Sequence, residues 1–540
     1  MTLIRNYKHI KKILLLIIFP AVLIFSQDDK SKNPNVELPD FVITGQDVIS
    51  IKRAVKIKPD FISTVTEKFI KPVHSPEELG LRQLSDPIKE DLALLDSTAF
   101  SNGSLSAGAG IYILPEANLN YNYPFHNGIL KADLGGMYQR DYIKNSDRYS
   151  FYGGAGIEYS LGVIDKSLPG TQFLLGGDYK SLAYKLFASN NPEQKRTKNE
   201  GNYYLGIKST AGKVFIFDLQ FDNYTTSLVE NNFSENLLNL NGFARLQLSD
   251  IGLGIKTNYK KQFFTSDTLD NIGFNYFFFR PTVTFELLNS IKAEVGYTFT
   301  NSGGQSYNNF FASFGLRISK NMILLGEFSP NAEFVTSGLL LRKNDYFDPL
   351  MFDNLFYRKS NYFDVAIKYE YERYYQIDAG LRYFKSGNLP YFIDSNKSGQ
   401  FDIATTDAEN YNAYLNLSFH FGPYGVLYGS FDYFRVRDNN DNKIPYQPNL
   451  KGNITYGYEI KRGLLGEVLV DYYSDRFSDI PNTTKLNSFF NLGFKLTYKL
   501  QETFILKLEM YNLLNRDIFL WQGYKEKPFD VMLGFNLLFD

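Results

Sequence analysis

The sequence predicts an all-β protein: a transmembrane antiparallel β-barrel of about 22 strands with a short N-terminal periplasmic segment. Three observations carry this. First, the C-terminal third alternates apolar and polar residues with period two. Phe490, Leu492, Phe494, Leu496 and Tyr498 interleave with Asn491, Gly493, Lys495, Thr497 and Lys499. Phe504, Leu506, Leu508 and Met510 repeat the pattern, and so do Phe529, Val531, Leu533, Phe535, Leu537 and Phe539. Period two means strands with one apolar and one polar face. Here the polar face is charged and the apolar face aromatic, as for strands between lipid and a wet lumen. Second, aromatics make up 16% of the chain, with 48 Phe and 40 Tyr, which suits the girdles of a barrel. Third, mean hydropathy is -0.26, and past the N-terminus no stretch offers the ~20 apolar residues of a spanning helix.

The elements follow in order. Residues 1–26 read as a signal peptide: Arg5, Lys8, Lys11 and Lys12 precede an apolar run from Ile13 to Phe25. Residues 27–100 read as a periplasmic segment, polar and flexible at first. A short β-like run follows at Phe41, Val42, Ile43 and Thr44. Ser75-Pro76-Glu77-Glu78 is a helix start, with Ser as cap and Pro in the first turn, and Pro87 to Leu95 is a second helical stretch. Residues 101–540 read as the outer-membrane barrel. Alternation recurs at Ala293–Phe299, Val365–Tyr371, Ile377–Tyr383, Ala413–Phe421 and Val468–Tyr472. Short links such as Gly422-Pro423 and Lys461-Arg462-Gly463 alternate with long ones. The long ones are Asn190–Asn202, Asp345–Asn361, Asn388–Asn410, Arg437–Gln447 and Phe477–Lys485. In this class short turns are periplasmic and long loops extracellular.

Composition narrows the function. A formal net charge of -1 argues against nucleic acid as the main partner. The absence of cysteine removes disulfides, thiolate metal sites and a cysteine nucleophile. Beyond the signal the histidines are His74, His126 and His420. Ser418 and His420 share the lumenal face of one strand, but a triad needs a third converging group, so a lumenal polar pair is the reading. Asp394, Asn396, Ser398, Gly399 and Asp402 resemble the first part of a calcium loop. Thr405 stands where the bidentate Glu belongs, so an ordinary polar loop is expected. No cofactor, catalytic residue or metal site is assigned. Trp521, the single tryptophan, suits a membrane interface.

Four segments together resemble the C-terminal barrel of TonB-dependent receptors. They are Ile444-Pro445-Tyr446-Gln447-Pro448, Asp471-Tyr472-Tyr473-Ser474-Asp475-Arg476, Tyr511-Asn512-Leu513-Leu514-Asn515-Arg516 and Trp521-Gln522-Gly523-Tyr524. Ser329-Pro330-Asn331 and Lys343-Asn344-Asp345-Tyr346 loosely resemble an earlier loop of the same family. These residues are read as building the barrel; Asn512 and Asn515 suit a strand exit, where they bond locally. The resemblance implies a cell-surface receptor for a solute and a TonB-like periplasmic partner, which Phe41–Thr44 would meet as a paired strand. It also implies a plug domain of well over a hundred residues, for which residues 27–100 leave no room, so the barrel reads as plugless.

The expectation is an outer-membrane barrel, bounded by lipid, that binds or passes an unknown solute. The alternatives are a surface-binding or assembly scaffold and, third, a hydrolase using Ser418 and His420.

Overall fold

A computed structural model describes residues 102–540, apart from 162–169, 210–213, 267–268, 288–289, 352–354 and 372–373. The expectations for residues 1–26 and 27–100, including Phe41, Val42, Ile43, Thr44, the helical stretches and the reading of the barrel as plugless, lie outside the described residues.

The described chain forms 22 barrel strands in a strictly up-and-down antiparallel order. They are β1 Gly103–Gly110, β2 Ile113–Phe125, β3 Gly128–Gln139, β4 Arg148–Ser160, β5 Thr171–Lys185, β6 Lys195–Ser209, β7 Phe215–Leu228 and β8 Phe233–Leu248. Next come β9 Ile251–Ser266, β10 Leu269–Leu287, β11 Ile291–Ser302 and β12 Gln305–Ser319. Strand β13 is broken, as Met322–Phe328 and Asn331–Val335, and both pieces pair with β14, Leu355–Tyr371. The rest are β15 Tyr375–Ile393, β16 Asp402–His420, β17 Val426–Asp438, β18 Leu450–Lys461, β19 Leu464–Tyr473, β20 Phe489–Gln501, β21 Phe504–Tyr511 and β22 Asp530–Phe539. Strand β22 pairs with β1 from Gly103↔Phe539 to Gly110↔Met532, which closes the barrel. Closure removes the sheet edges, whose unpaired backbone groups lipid could not satisfy.

The outward face marks the bilayer. On β15, Tyr375, Ile377, Ala379, Leu381 and Tyr383 point out, and Leu381 is 67% exposed. At one end Tyr375 packs against Phe419, with ring centroids 5.6 Å apart. At the other, Tyr383 packs against Tyr411 at 4.8 Å. The nine residues from Tyr375 to Tyr383 match the ~9–11 of a spanning strand. One step further out on the same face, Lys385 and Glu409 form an ion pair at 2.8 Å. Charge there ends the apolar band, with an aromatic girdle on each side of it.

Both ends of the sheet share one rim with short turns such as Arg462-Gly463; the longest connections, between β13 and β14 and between β21 and β22, lie on the other, together with short links at Ile111-Tyr112 and Gly303-Gly304. The strands run farther than the alternation shows. Much of Asn190–Asn202 and most of Asn388–Asn410, expected as loops, is strand: β6 begins at Lys195, and β15 and β16 pair from Tyr375↔Phe419 out to Ile393↔Asp402. Beyond the bilayer both faces meet water or loops, so period two fades while the hydrogen-bond ladder continues.

The expected wet lumen holds for the periplasmic half. There Lys131 and Glu158 pair at 2.6 Å with 46% of each side chain exposed. The extracellular half is filled instead. Its core gathers around α1, Ser337–Lys343, where Leu340, Leu341, Leu228, Phe233, Tyr362 and Phe384 are all buried. The segment carrying α1 folds inward because Leu340 and Leu341 need apolar cover, and Thr336 caps its start by accepting from the Leu339 amide at 3.2 Å.

Asp530 clasps the seam. It is fully buried; one carboxylate oxygen accepts from the Ile111 and Tyr112 amides at 3.0 and 3.2 Å, and the other from Lys527 at 2.5 Å. Asp530→Ala strands the Tyr112 amide and a lysine, while the Ile111 amide keeps the Val531 carbonyl at 3.1 Å, at a cost of about 1–3 kcal/mol. Its urea midpoint in lipid vesicles is expected to fall; an unchanged midpoint would show that the seam does not depend on this clasp.

Candidate functional site

The extracellular rim is held by a latch on the connection between β13 and β14. Asp345 reaches across the bore to strands about a third of the way round or more. Its carboxylate binds Arg148 of β4 at 2.5 Å and Lys198 of β6 at 2.8 Å. Its carbonyl accepts from Tyr184 of β5 and from Arg196 of β6, whose fully buried guanidinium also binds the Phe347 carbonyl at 2.8 Å. Glu235 of β8 accepts from the Gly338 amide at 3.1 Å and so fixes the start of α1. Burial alone would raise the Asp345 carboxyl, but the charges and hydrogen bonds of Lys198 and Arg148 outweigh it and hold the group below its ordinary 3.8.

Aromatic rings complete the closure. Tyr346 stacks on Tyr524 with centroids 3.4 Å apart, and Phe187 meets Tyr524 edge-on at 5.0 Å. The Tyr524 hydroxyl donates to the Gly399 carbonyl at 2.6 Å. Gly399 has φ 74°, and a Cβ there would come within 2.4 Å of the Ala188 carbonyl oxygen, so only glycine lets these loops meet. Burial pushes the Tyr346 hydroxyl well up, so the seal is uncharged at neutral pH.

Beside this seal lies a cavity of about 530 Å³. Its walls are the inner faces of β13 to β15, the end of α1, and the segments around Tyr446, Arg476 and Trp521. The Trp521 ring lies 4.8 Å from Tyr446, 5.1 Å from Phe392 and 5.3 Å from Phe401. Two lining cations have carboxylate partners: Lys359 binds Glu333 at 2.6 Å, and Arg382 binds Asp364 at 2.7 Å. Arg476 is 2% exposed and lies between the Tyr473 and Phe489 rings, at 5.9 and 5.4 Å. One of its nitrogens donates to the Phe519 carbonyl; the other, Nη1, has no acceptor among the described residues.

No family model and no curated protein matches the sequence. Solved structures match the fold. They include the copper transporter OprC, at TM-score 0.61 and 11% identity, over 82% of this chain and 81% of that one. The FrpB iron transporter from Neisseria meningitidis matches at 0.63 and 10%, over 82% of each chain. The ferric-catecholate import receptor Fiu from K12 E. coli matches at 0.59 and 10%, also over 82% of each. The fold is that of the TonB-dependent receptors. With the apolar band and its two girdles, it places the barrel in an outer membrane.

The segments that carried the family resemblance come together in this fold. Tyr446 and Pro448, Tyr473 and Arg476, Trp521, and Lys343 all line the one cavity. Read as barrel-building residues, they also line this cavity. Asn512 and Asn515 do serve the strand exit: both have left-handed φ and accept from the Arg516 and Phe529 amides at 2.9 and 3.1 Å. Trp521, expected at the membrane interface, packs inside the mouth, because its loop turns inward over Phe401. Ser418 and His420 do share the lumenal face of β16, and His420 Nε2 has no partner among the described residues, so Ser418 does not bond to it. Asp394 spends both oxygens on its own turn, accepting from the Ser398 and Gly399 amides at 2.8 Å each. Among the described residues no cluster of acids or histidines could hold a metal.

The latch gives a pH signature. A depressed carboxyl stabilises the closed mouth above its ordinary value and loses that effect as pH falls through the folded value. Glu526 faces the same cluster with the opposite tendency, since burial raises it against the pull of Arg148. Its protonation comes first and does not weaken the latch. Trp521 emission is therefore expected to hold steady from neutral pH to about 4 and to shift red only below 3.8. Asp345→Asn should show the shifted emission already at pH 7. A wild-type shift near pH 6 would assign the latch to another group.

Proposed function

We propose that the protein is an outer-membrane receptor that captures a solute at its extracellular mouth and admits it to the lumen. The observation that carries this is the pairing of a built cavity with a closure of loops over a lower lumen lined, among the described residues, by charged side chains. A scaffold has no need of a polar latch across its bore. Uptake then requires the segment from Thr336 to Asp348 to leave its partners, and the N-terminal segment is where energy for that step would enter. There Phe41, Val42, Ile43 and Thr44 would pair as a strand with a TonB-like periplasmic partner. The solved relatives in fold carry names of copper and iron transporters and siderophore receptors, which supports import over catalysis.

A disulfide lock tests the reading in this cysteine-free chain. A Cβ built on Gly523 lies 3.2 Å from Ala188 Cβ, just below the ~3.5–4.5 Å that a disulfide spans; φ 81° at Gly523 strains any side chain there, so the reduced double variant is the control for folding. Cells carrying Ala188→Cys with Gly523→Cys are compared with wild-type and deletion cells by mass spectrometry of solutes removed from the medium. The oxidised lock should match the deletion, and reduction should restore depletion. An oxidised lock that depletes like wild type would overturn gated import.

A further inference from the structure

We infer that the cavity beside the mouth takes a small organic anion with two or more negative charges on a flat apolar body. This rests on the reading of the protein as a solute receptor and names the class of solute. Size comes first: about 530 Å³ falls among small-molecule sites, which run to ~300–1,000 Å³.

Charge comes second. Six cationic side chains line the cavity (Arg342, Lys343, Lys359, Arg382, Lys451 and Arg476) against one carboxylate, Glu333. Glu333 is committed to Lys359, and Asp364 behind the wall is committed to Arg382. Arg476 is the buried cation of this wall. Its Nη1 has no acceptor among the described residues and is closed to water, so an anion reaches it only as the Tyr473 and Phe489 rings part, and a buried guanidinium nitrogen is costly until an acceptor completes it. The neighbouring Asp475 does not serve, since its carboxylate binds Lys485 and the Ser488 amide, each at 2.7 Å. The planar donor fork of Arg matches carboxylate or phosphate oxygens. Arg342, at the end of α1, offers an exposed second cation to the same space. A neutral sugar would leave Arg476 and Arg342 without a counter-charge, and a cation would be repelled.

Shape comes third. Trp521, Tyr446 and Phe392 bring aromatic rings into the same cavity, and flat apolar groups stack on such rings.

Trp521 reports on the site because it is the only tryptophan. The full mature chain in nanodiscs is titrated with benzene-1,2,4,5-tetracarboxylate, a flat polyanion. Saturable quenching that weakens with salt is expected, with no saturable response to trimethylphenylammonium or glucose. Citrate, charged but not flat, should bind more weakly. Arg476→Gln should weaken binding about tenfold or more, as for loss of a charge-assisted hydrogen bond, and Arg476→Lys less. Arg342→Gln carries the same test at an exposed position and should also weaken binding. Equal response to the cation, equal binding of citrate, or unchanged affinity in both Gln variants would overturn the assignment. Anion binding without uptake would support this site and remove the transport reading. Mouth-dependent uptake with no anion preference at Trp521 would overturn the site and leave the transport reading in place.

Discussion

Every backbone amide that faces lipid must find a partner within the protein, and this constraint organises the rest of the molecule. Twenty-two strands meet it only because β22 returns to β1. That return fixes Gly103 against Phe539, where a Cβ would come within 2.3 Å of the ring, and it fixes the buried Asp530 across the seam. A closed barrel of this size encloses a bore too wide for wall side chains alone to fill. The chain fills the extracellular half with its own long connections and leaves the lower half wet among the described residues.

The filling dictates its own chemistry. A helix folded into the bore brings Leu340 and Leu341 into an apolar core, but it also brings polar backbone that needs partners. Arg196, Lys198 and Glu235 on the facing wall supply them, and Asp345 answers with charge. Closed mouth and cavity thus share one origin. The loops that seal the bore cannot pack perfectly against a wall bearing Lys359 and Arg382, and the gap they leave is lined by whatever those surfaces present.

The barrel was legible because lipid imposes period two on every spanning strand; Val365 to Tyr371 and Phe490 to Tyr498 show it plainly. The outer parts of β6, β15 and β16 were not, because beyond the bilayer no solvent contrast separates their faces. The mouth was illegible for another reason. Arg148 and Asp345 meet across 197 residues of chain, and no local pattern marks such a pair. The tryptophan loop and the stretch ending at Arg476 stood out as sequence, yet their meeting at one cavity is a property of the closed fold.

The most direct test of the account is planar-bilayer conductance of the mature chain with and without residues 27–100. If the loops latched through Asp345 close the bore, both forms stay silent at neutral pH. A large steady conductance that appears only on removing 27–100 would place the seal in that segment and contradict the loop latch.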